Sequence, residues 1–487
     1  MARFFRQLPD GAALGETIDA DICVIGAGSG GLTVAAGAAL LGVQTVLIER
    51  AHMGGDCLNF GCVPSKALLA AAAAAEEVRG ARRFGIEAGE PRIDFARVHD
   101  HVHGVIAAIA PVDSVERYEG LGAQVLRAQA RFTGPGELEA GGTRVRARRF
   151  VIATGSRPSV PPIPGLAEMP YLTNETIFEK KAAPEHLIVI GGGPIGVELA
   201  QAHRHLGARV TLLEAQTLLA NDDPELVDLL RLRLRADGID VREGVKIARV
   251  ERAGNGVAVV LDGEGGAQRL MGSDLLVATG RRPNVEDLGL EAAGVAVAKR
   301  GVQVDARLRT TNKRIYAVGD VAGAYQFTHI AGYHAGIVLR NALFRLPAKV
   351  DYRAVPWVTF TRPELAHVGL TEAAARAAHG AVRVLRWPFA DNDRAQAEKL
   401  TDGLIKVVVG KRGRVLGASI LGAHAGELIL PWVMAVKSRA KIGLLANVIA
   451  PYPTLSEVSK RAAGSYYLPG LFSDRTKKIV GFLRRFG

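Results

Sequence analysis

The chain has 487 residues, enough for roughly three domains at about 150 residues each. Hydrophobic residues make up 48% and charged residues 23%, a balance that excludes global disorder. The net charge is +12 with only three cysteines, Cys23, Cys57 and Cys62; no zinc-finger spacing or long basic run points to nucleic acid, and a disulfide-stapled secreted fold is excluded in favour of a reducing, cytoplasmic compartment.

The N-terminal stretch MARFFRQLPDGAALGE has no apolar run long enough for a signal peptide. From Ile22 to Ile48 no residue is charged, a length that could span a bilayer. Its six glycines and β-branched ends predict a buried strand–turn–helix–strand instead. Residues 20–25 form the strand. Gly26, Gly28 and Gly31 then complete a G-x-G-x-x-G pattern, and Glu49 follows 18 residues after Gly31, at the end of the strand Thr45–Ile48. Such a unit cradles a dinucleotide: the first glycine makes the turn, the second admits the pyrophosphate, the third packs helix on strand, and the acid takes the ribose.

Next comes Gly54-Gly55-Asp56-Cys57-Leu58-Asn59-Phe60-Gly61-Cys62-Val63-Pro64-Ser65-Lys66. Five residues of regular helix rise about 7.5 Å, too far for a disulfide. A bridge between Cys57 and Cys62 would need irregular backbone, which Asn59 and Gly61 can supply. Pro64 suits the first turn of a helix running through the alanines at 70–75, and thiols at such a terminus are acidic and reactive. Two unrelated cysteines, or half of a zinc site, are the other readings of the pair. Cys23, inside the first strand, reads as a small buried hydrophobe. His99, His101 and His103 cluster on a predicted helix, with His99 and His103 on one face; further metal ligands are not evident from the sequence.

The cradle pattern recurs at Gly191, Gly193 and Gly196, after the strand Leu187–Ile190, with Glu214 again 18 residues past the last glycine. A carboxylate there favours a free 2′-hydroxyl and repels a 2′-phosphate. NAD(H) is therefore expected rather than NADP(H).

The cysteine segment resembles the redox-disulfide signature of the class I flavin-dependent pyridine nucleotide-disulfide oxidoreductases, a family that includes mercuric reductase and dihydrolipoamide dehydrogenase. The likeness extends over nearly the whole chain. ATGSRP at 153–158, with Thr154 and Gly155, and ATGRRPN at 278–284, with Gly280, resemble the two domain-crossing segments. IYAVGDVAG at 315–323 resembles the second flavin motif and implies that Asp320 meets the ribityl chain. VPWVTFTRPELAHVGLT at 355–371 resembles the start of the dimerisation domain.

The resemblance implies an α/β fold with two Rossmann-like domains, for FAD and NAD(P), and a C-terminal α+β dimerisation domain. The expected boundaries are 1–158 and 284–353 for the FAD domain, 159–283 for the NAD(H) domain and 354–487 for the interface domain of a homodimer. It also implies an enzyme in which electrons pass from NADH through FAD to a Cys57–Cys62 disulfide. Cys62 would be the thiolate against the flavin and Cys57 the interchange thiol. Lys66 and its carboxylate partner Glu198 would sit beside the flavin.

One motif departs from the pattern. Where dithiol-handling members carry His-Pro-Thr-x-x-Glu, contributed by the partner subunit, this chain has Tyr452-Pro453-Thr454 and keeps Glu457. A phenol is a poor base at neutral pH. Tyrosine here resembles mercuric reductases, although the tail 458–487 lacks their cysteine pair. The implied acceptor is a thiol, a disulfide or a soft metal ion, with dihydrolipoyl dehydrogenase as the alternative and a catalytically altered scaffold as the rival class. In the last thirteen residues Ile479, Phe482, Leu483 and Phe486 fall at helical spacing among five cations, so peripheral membrane contact is one expectation for the tail and packing on the dimer another.

Overall fold

The computed structural model describes residues 16–263 and 266–486; the N-terminal stretch weighed above as a signal peptide lies outside them. The charge-free run from Ile22 resolves into the strand Glu16–Ile25, the helix Ser29–Leu40 and the strand Thr45–Ile48. Within that strand–helix–strand unit Ile22–Ile25 and Thr45–Ile48 pair in parallel, and all eight residues are buried. Apolar side chains on both faces are what a helix-covered parallel sheet requires.

The first sheet runs in the order Ala123–Leu126, Thr45–Ile48, Glu16–Ile25, Thr143–Ile152, Glu137–Ala140, Ala130–Gly134. At its C-terminal end, Phe150–Ile152, the strand Thr143–Ile152 also pairs in parallel with Ile315–Ala317, so a strand from late in the chain completes this sheet. The hairpin 130–140 is antiparallel, and Phe132 packs edge-on against Phe150 with ring centroids 5.2 Å apart.

The second sheet, Asp240–Arg242, Arg209–Leu213, His186–Ile190, Asp274–Val277, is wholly parallel. Between its last two strands in sequence lies an antiparallel sheet, Lys246–Ala253, Gly256–Asp262 and Gln268–Gly272. The chain crosses between the two halves twice, at Ser156–Pro158 and Arg281–Pro283, and these strands pair antiparallel. The C-terminal part is a five-stranded antiparallel sheet carrying helices, with Trp432 fully buried among Phe389, Ile420 and Val458. The architecture is thus α/β with two parallel nucleotide-type sheets and a C-terminal α+β unit.

The run Gly55–Phe84 is long and apolar enough to cross a membrane by composition, but it breaks at Phe60–Gly61 into the helices Gly55–Asn59 and Cys62–Gly80. At the chain end the helix Asp474–Leu483 buries none of its side chains.

Candidate active site

The two glycine cradles are built alike. Gly26 and Gly191 have φ of 104° and 115°, and a Cβ on either would lie 2.4 Å from the carbonyl oxygen of Ala153 or Ala278. A Cβ on Gly31 would lie 1.8 Å from Gly26 O, and one on Gly196 1.9 Å from Gly191 O. These glycines let helix, turn and neighbouring strand touch backbone to backbone. At Gly28 the nearest atom to an added Cβ is 3.9 Å away, and at Gly193 nothing lies within 4 Å. Both residues cap a helix without a side-chain hydrogen bond, so open space meets unsatisfied N–H groups, the arrangement that receives a pyrophosphate.

The acids match too. Ala27 N–H and Ala51 N–H each donate at 2.7 Å to Glu49. Gly192 N–H donates to Glu214 at 2.7 Å and Gln216 N–H at 2.8 Å. Each carboxylate is oriented by backbone and keeps lone pairs for a ribose. The donor set and the open glycines therefore fit a dinucleotide at both places.

The first cradle opens into a cavity of about 1510 Å³, larger than the few hundred to 1,000 Å³ typical of a drug-sized ligand. Cys57, Cys62, Lys66, Glu198 and Asp320 line it, as do Thr154, Gly155 and Gly280. Gly191, Gly193, Gly196 and Glu214 do not, although Pro194, Ile195 and Glu198, on the helix they open, do.

Cys62 is the first residue of the helix Cys62–Gly80, and the backbone break at Phe60–Gly61 brings Cys57 beside it. A Cβ on Gly61 would crowd Asp56 O at 3.0 Å. The cysteines are free thiols, the open form of the expected bridge, and they hydrogen-bond each other. Thr328 Oγ1 lies 3.4 Å from Cys62 Sγ. The hydrogen bond from Cys57 lowers the Cys62 thiol to about 6, against the opposing effect of burial and with help from Thr328 and Lys66. The same bond, with burial, pushes Cys57 upward, although Thr328 and Ser29 of the first cradle also bond it. One thiol is thus held as the thiolate and the other as its proton donor. Because the depressed group charges above its pKa, alkylation of reduced protein by iodoacetamide should rise through about pH 6 and level off near neutrality. A midpoint above 8, where an ordinary thiol titrates, would contradict this. Cys23 is fully buried, and burial pushes its thiol up.

Lys66 Nζ lies 2.8 Å from Glu198 Oε2 and 4.3 Å from the centre of the Phe360 ring. Phe360 N–H donates to Glu198 Oε1 at 2.9 Å. Asp320 accepts from Ser156 Oγ at 2.5 Å, and burial raises its carboxyl above the usual range. Arg281 donates to Ser156 Oγ at 2.8 Å and pairs with Asp56 at 3.1 Å, tying a crossing segment to the cysteine loop. Thr154 Oγ1 donates to Asn284 O at 2.7 Å, and Asn284 N–H donates to Gly155 O at 2.9 Å. Ser159 N–H donates to Gly280 O at 2.9 Å. Thr328, Phe360, Arg281 and Ser29 escaped the sequence reading as neighbours of the thiols and of Lys66. None stands in a motif that names such a role; only Thr328's place at the start of the helix Thr328–Ala342 offered a signal.

Tyr452 and Glu457 do not line this cavity. Tyr452 is 68% exposed and its hydroxyl donates to Asp393 Oδ2 at 2.8 Å; Glu457 opens the helix Glu457–Ser465. Leu430, Met434, Leu444 and Ile449 of the C-terminal unit are exposed.

Two nucleotide cradles flanking an acidic dithiol define a nucleotide-dependent redox protein. The description "Pyridine nucleotide-disulphide oxidoreductase" matches residues 20–335, and that family's dimerisation domain matches residues 355–463. The chain belongs to the pyridine nucleotide-disulphide oxidoreductase family. It is 39% identical over 457 residues to a mercuric reductase of Streptomyces lividans, covering 92% of this chain and 96% of that one. It is also 39% identical over 450 residues to a dihydrolipoyl dehydrogenase of Thermus scotoductus, covering 91% and 96%. Among solved structures, the Cu(II) complex of the HOCl-induced flavoprotein disulfide reductase RclA from Escherichia coli matches with a TM-score of 0.83 at 31% identity, over 91% of this chain and 99% of that one. The protein is therefore a flavoprotein enzyme that uses FAD and NAD(P)H, and its dimerisation domain makes it a homodimer.

Proposed function

We propose that the enzyme moves electrons from NADH through FAD to the Cys57–Cys62 pair and on to a soft metal ion, in the manner of a mercuric reductase. Gly26, Gly28, Gly31, Glu49 and Asp320 would hold FAD, which would supply two-electron chemistry between nicotinamide and sulfur. The chain's own residues do the rest. Opening the Cys57–Cys62 bond with two electrons yields two sulfur anions, of which Cys57 takes a proton and Cys62 keeps its charge. Lys66 compensates that charge from beside it, and Glu198 and Phe360 hold the ammonium in place. Thr328 donates to the thiolate. The observation that carries this reading is the acidic Cys62 thiol bonded to Cys57 on the wall of the flavin cavity.

Tyr452 supports a metal acceptor. Its hydrogen bond to Asp393 holds the phenol above its usual pKa, so it keeps its proton at neutral pH and cannot collect one from a dithiol substrate. A metal ion needs no such base, because thiolates bind soft ions directly. The named mercuric reductases and the Cu(II) complex of RclA support a metal acceptor. The equal identity to a dihydrolipoyl dehydrogenase supports the second reading, a dithiol acceptor; in either reading Tyr452 and Glu457 would cross to the disulfide of the partner subunit. Assaying NADH oxidation with Hg(II), Cu(II), lipoamide and oxidised glutathione separates the two. Wild type should turn over the metal ions and be slow with lipoamide, and Tyr452→His should raise lipoamide turnover by about 10²-fold. Wild-type lipoamide turnover at ordinary enzyme rates would remove the argument from Tyr452.

Glu214 supports NADH as the donor. Its carboxylate is fixed by Gly192 and Gln216 where a 2′-phosphate would be repelled. We expect kcat/KM for NADH to exceed that for NADPH by at least about 10-fold, from some 1.4 kcal/mol of discrimination, and Glu214→Ala to erase most of the difference. An NADPH preference in wild type would overturn the assignment.

A further inference from the structure

His99, His103 and Glu179 form a cluster apart from the redox cavity, which none of them lines. The helix Phe95–Ile109 begins at Asp94, whose side chain accepts from Arg97 N–H. It carries His99 and His103 four residues apart on one face, with ring centroids 4.2 Å apart. The short turn Ile177–Glu179 then brings in a third donor: Glu179 Oε1 lies 3.6 Å from His103 Nε2. One ligand atom from each of the three lies within 4.8 Å of the others.

Two imidazoles and a carboxylate are the donor set of borderline divalent ions, zinc above all. With metal–ligand bonds of about 2.0–2.2 Å, tetrahedral ligand atoms stand about 3.3–3.6 Å apart. The His103 Nε2–Glu179 Oε1 distance already meets this; His103 Nε2 also lies 3.2 Å from Phe178 O, a hydrogen bond that the ion would displace, and the remaining separations, up to 4.8 Å, close by side-chain rotation of about an ångström. His99 Nδ1 lies 3.2 Å from Asp100 Oδ1, the kind of contact that orients a ligating imidazole and leaves its other nitrogen free. The His99 side chain is 12% exposed and that of Glu179 61%. The rings are pre-placed, and the carboxylate closes the site from the solvent side.

We propose that His99, His103 and Glu179 bind one divalent ion of the zinc class, at a site separate from Cys57 and Cys62. The site bears on the redox loop through a short path. Ile177 and Phe178 pack with Ala67 and Leu68 of the cysteine-bearing helix. Asn174, earlier in the same segment, donates to Phe60 O at 3.1 Å and to Asp56 Oδ1 at 3.3 Å. An ion joining Glu179 to the helix Phe95–Ile109 pins the segment that buttresses the loop between the two cysteines.

The test uses untagged, FAD-loaded dimer carrying Cys57→Ser and Cys62→Ser, so that thiolates cannot take the metal. Calorimetric titration with ZnCl2 should give one ion per chain, and MgCl2 should give no binding. Adding His99→Ala and His103→Ala should abolish the site, and Glu179→Gln alone should weaken it by about 10-fold or more. The zinc-dependent rise in Tm should fall in the same order, which keeps the proposal testable through Glu179→Gln if the double-alanine protein does not hold flavin. No zinc binding by the parent, or undiminished binding in Glu179→Gln and the double-alanine protein, would overturn the proposal.

Discussion

Cys62→Ser should reduce NADH-dependent turnover of any acceptor by about 10³-fold or more, the scale seen when a nucleophile is removed. This loss is the same whichever acceptor is physiological. Cys62 is the thiol that the structure makes acidic, by the hydrogen bond from Cys57, the hydroxyl of Thr328 and the charge of Lys66. A serine hydroxyl in the same place neither ionises near neutrality nor forms a bond to sulfur that two electrons can open. The cradle glycines and Glu49 are untouched, so the variant should remain yellow and its flavin should still bleach with NADH. Full reductive titration should consume two electrons fewer per chain than wild type. Retained acceptor turnover, or an unchanged electron count, would show that the pair is not the conduit.

Gly31→Ala and Gly196→Ala should separate the two nucleotides. The added methyl group would lie 1.8 Å from Gly26 O in one case and 1.9 Å from Gly191 O in the other. Each obstacle is backbone, so the helix must move off its strand, at a cost of at least the 1–3 kcal/mol typical of overpacking. In Gly31→Ala the displaced helix is Ser29–Leu40, and the protein should be purified with little flavin. In Gly196→Ala it is Pro194–His205; the protein should stay yellow while its KM for NADH rises by about 10- to 100-fold, the equivalent of 1.4–2.7 kcal/mol. Both variants behaving alike, by absorbance at the flavin maximum and by steady-state kinetics, would refute the division of labour between the cradles.

The sequence was most legible where a ligand imposes spacing. Gly26 to Glu49 and Gly191 to Glu214 announce strand, helix and strand because a phosphate-receiving turn leaves little freedom of residue type. The break needed between Cys57 and Cys62 was also readable, since regular helix carries residues five apart too far from each other. What stayed hidden is held together across the chain. Thr328 meets Cys62 from 266 positions away, and Phe360 meets Glu198 from 162; no local pattern records such meetings. The antiparallel strands between Lys246 and Gly272 carry apolar alternation and turns but no chemistry, so a reading led by motifs passed over them. At His99 and His103 the periodicity showed a shared face, while Glu179 could be joined to them only by the fold.

The pairing of Ile315–Ala317 with Phe150–Ile152 has a consequence for biogenesis. At a ribosomal rate of 5–20 residues per second, roughly 8–30 s separate the emergence of these partners. Through that interval the nascent first domain presents a bare strand edge, apolar on both sides, to a crowded cell. Synthesis of this protein therefore leaves the edge at Phe150–Ile152 to be shielded until its partner strand emerges.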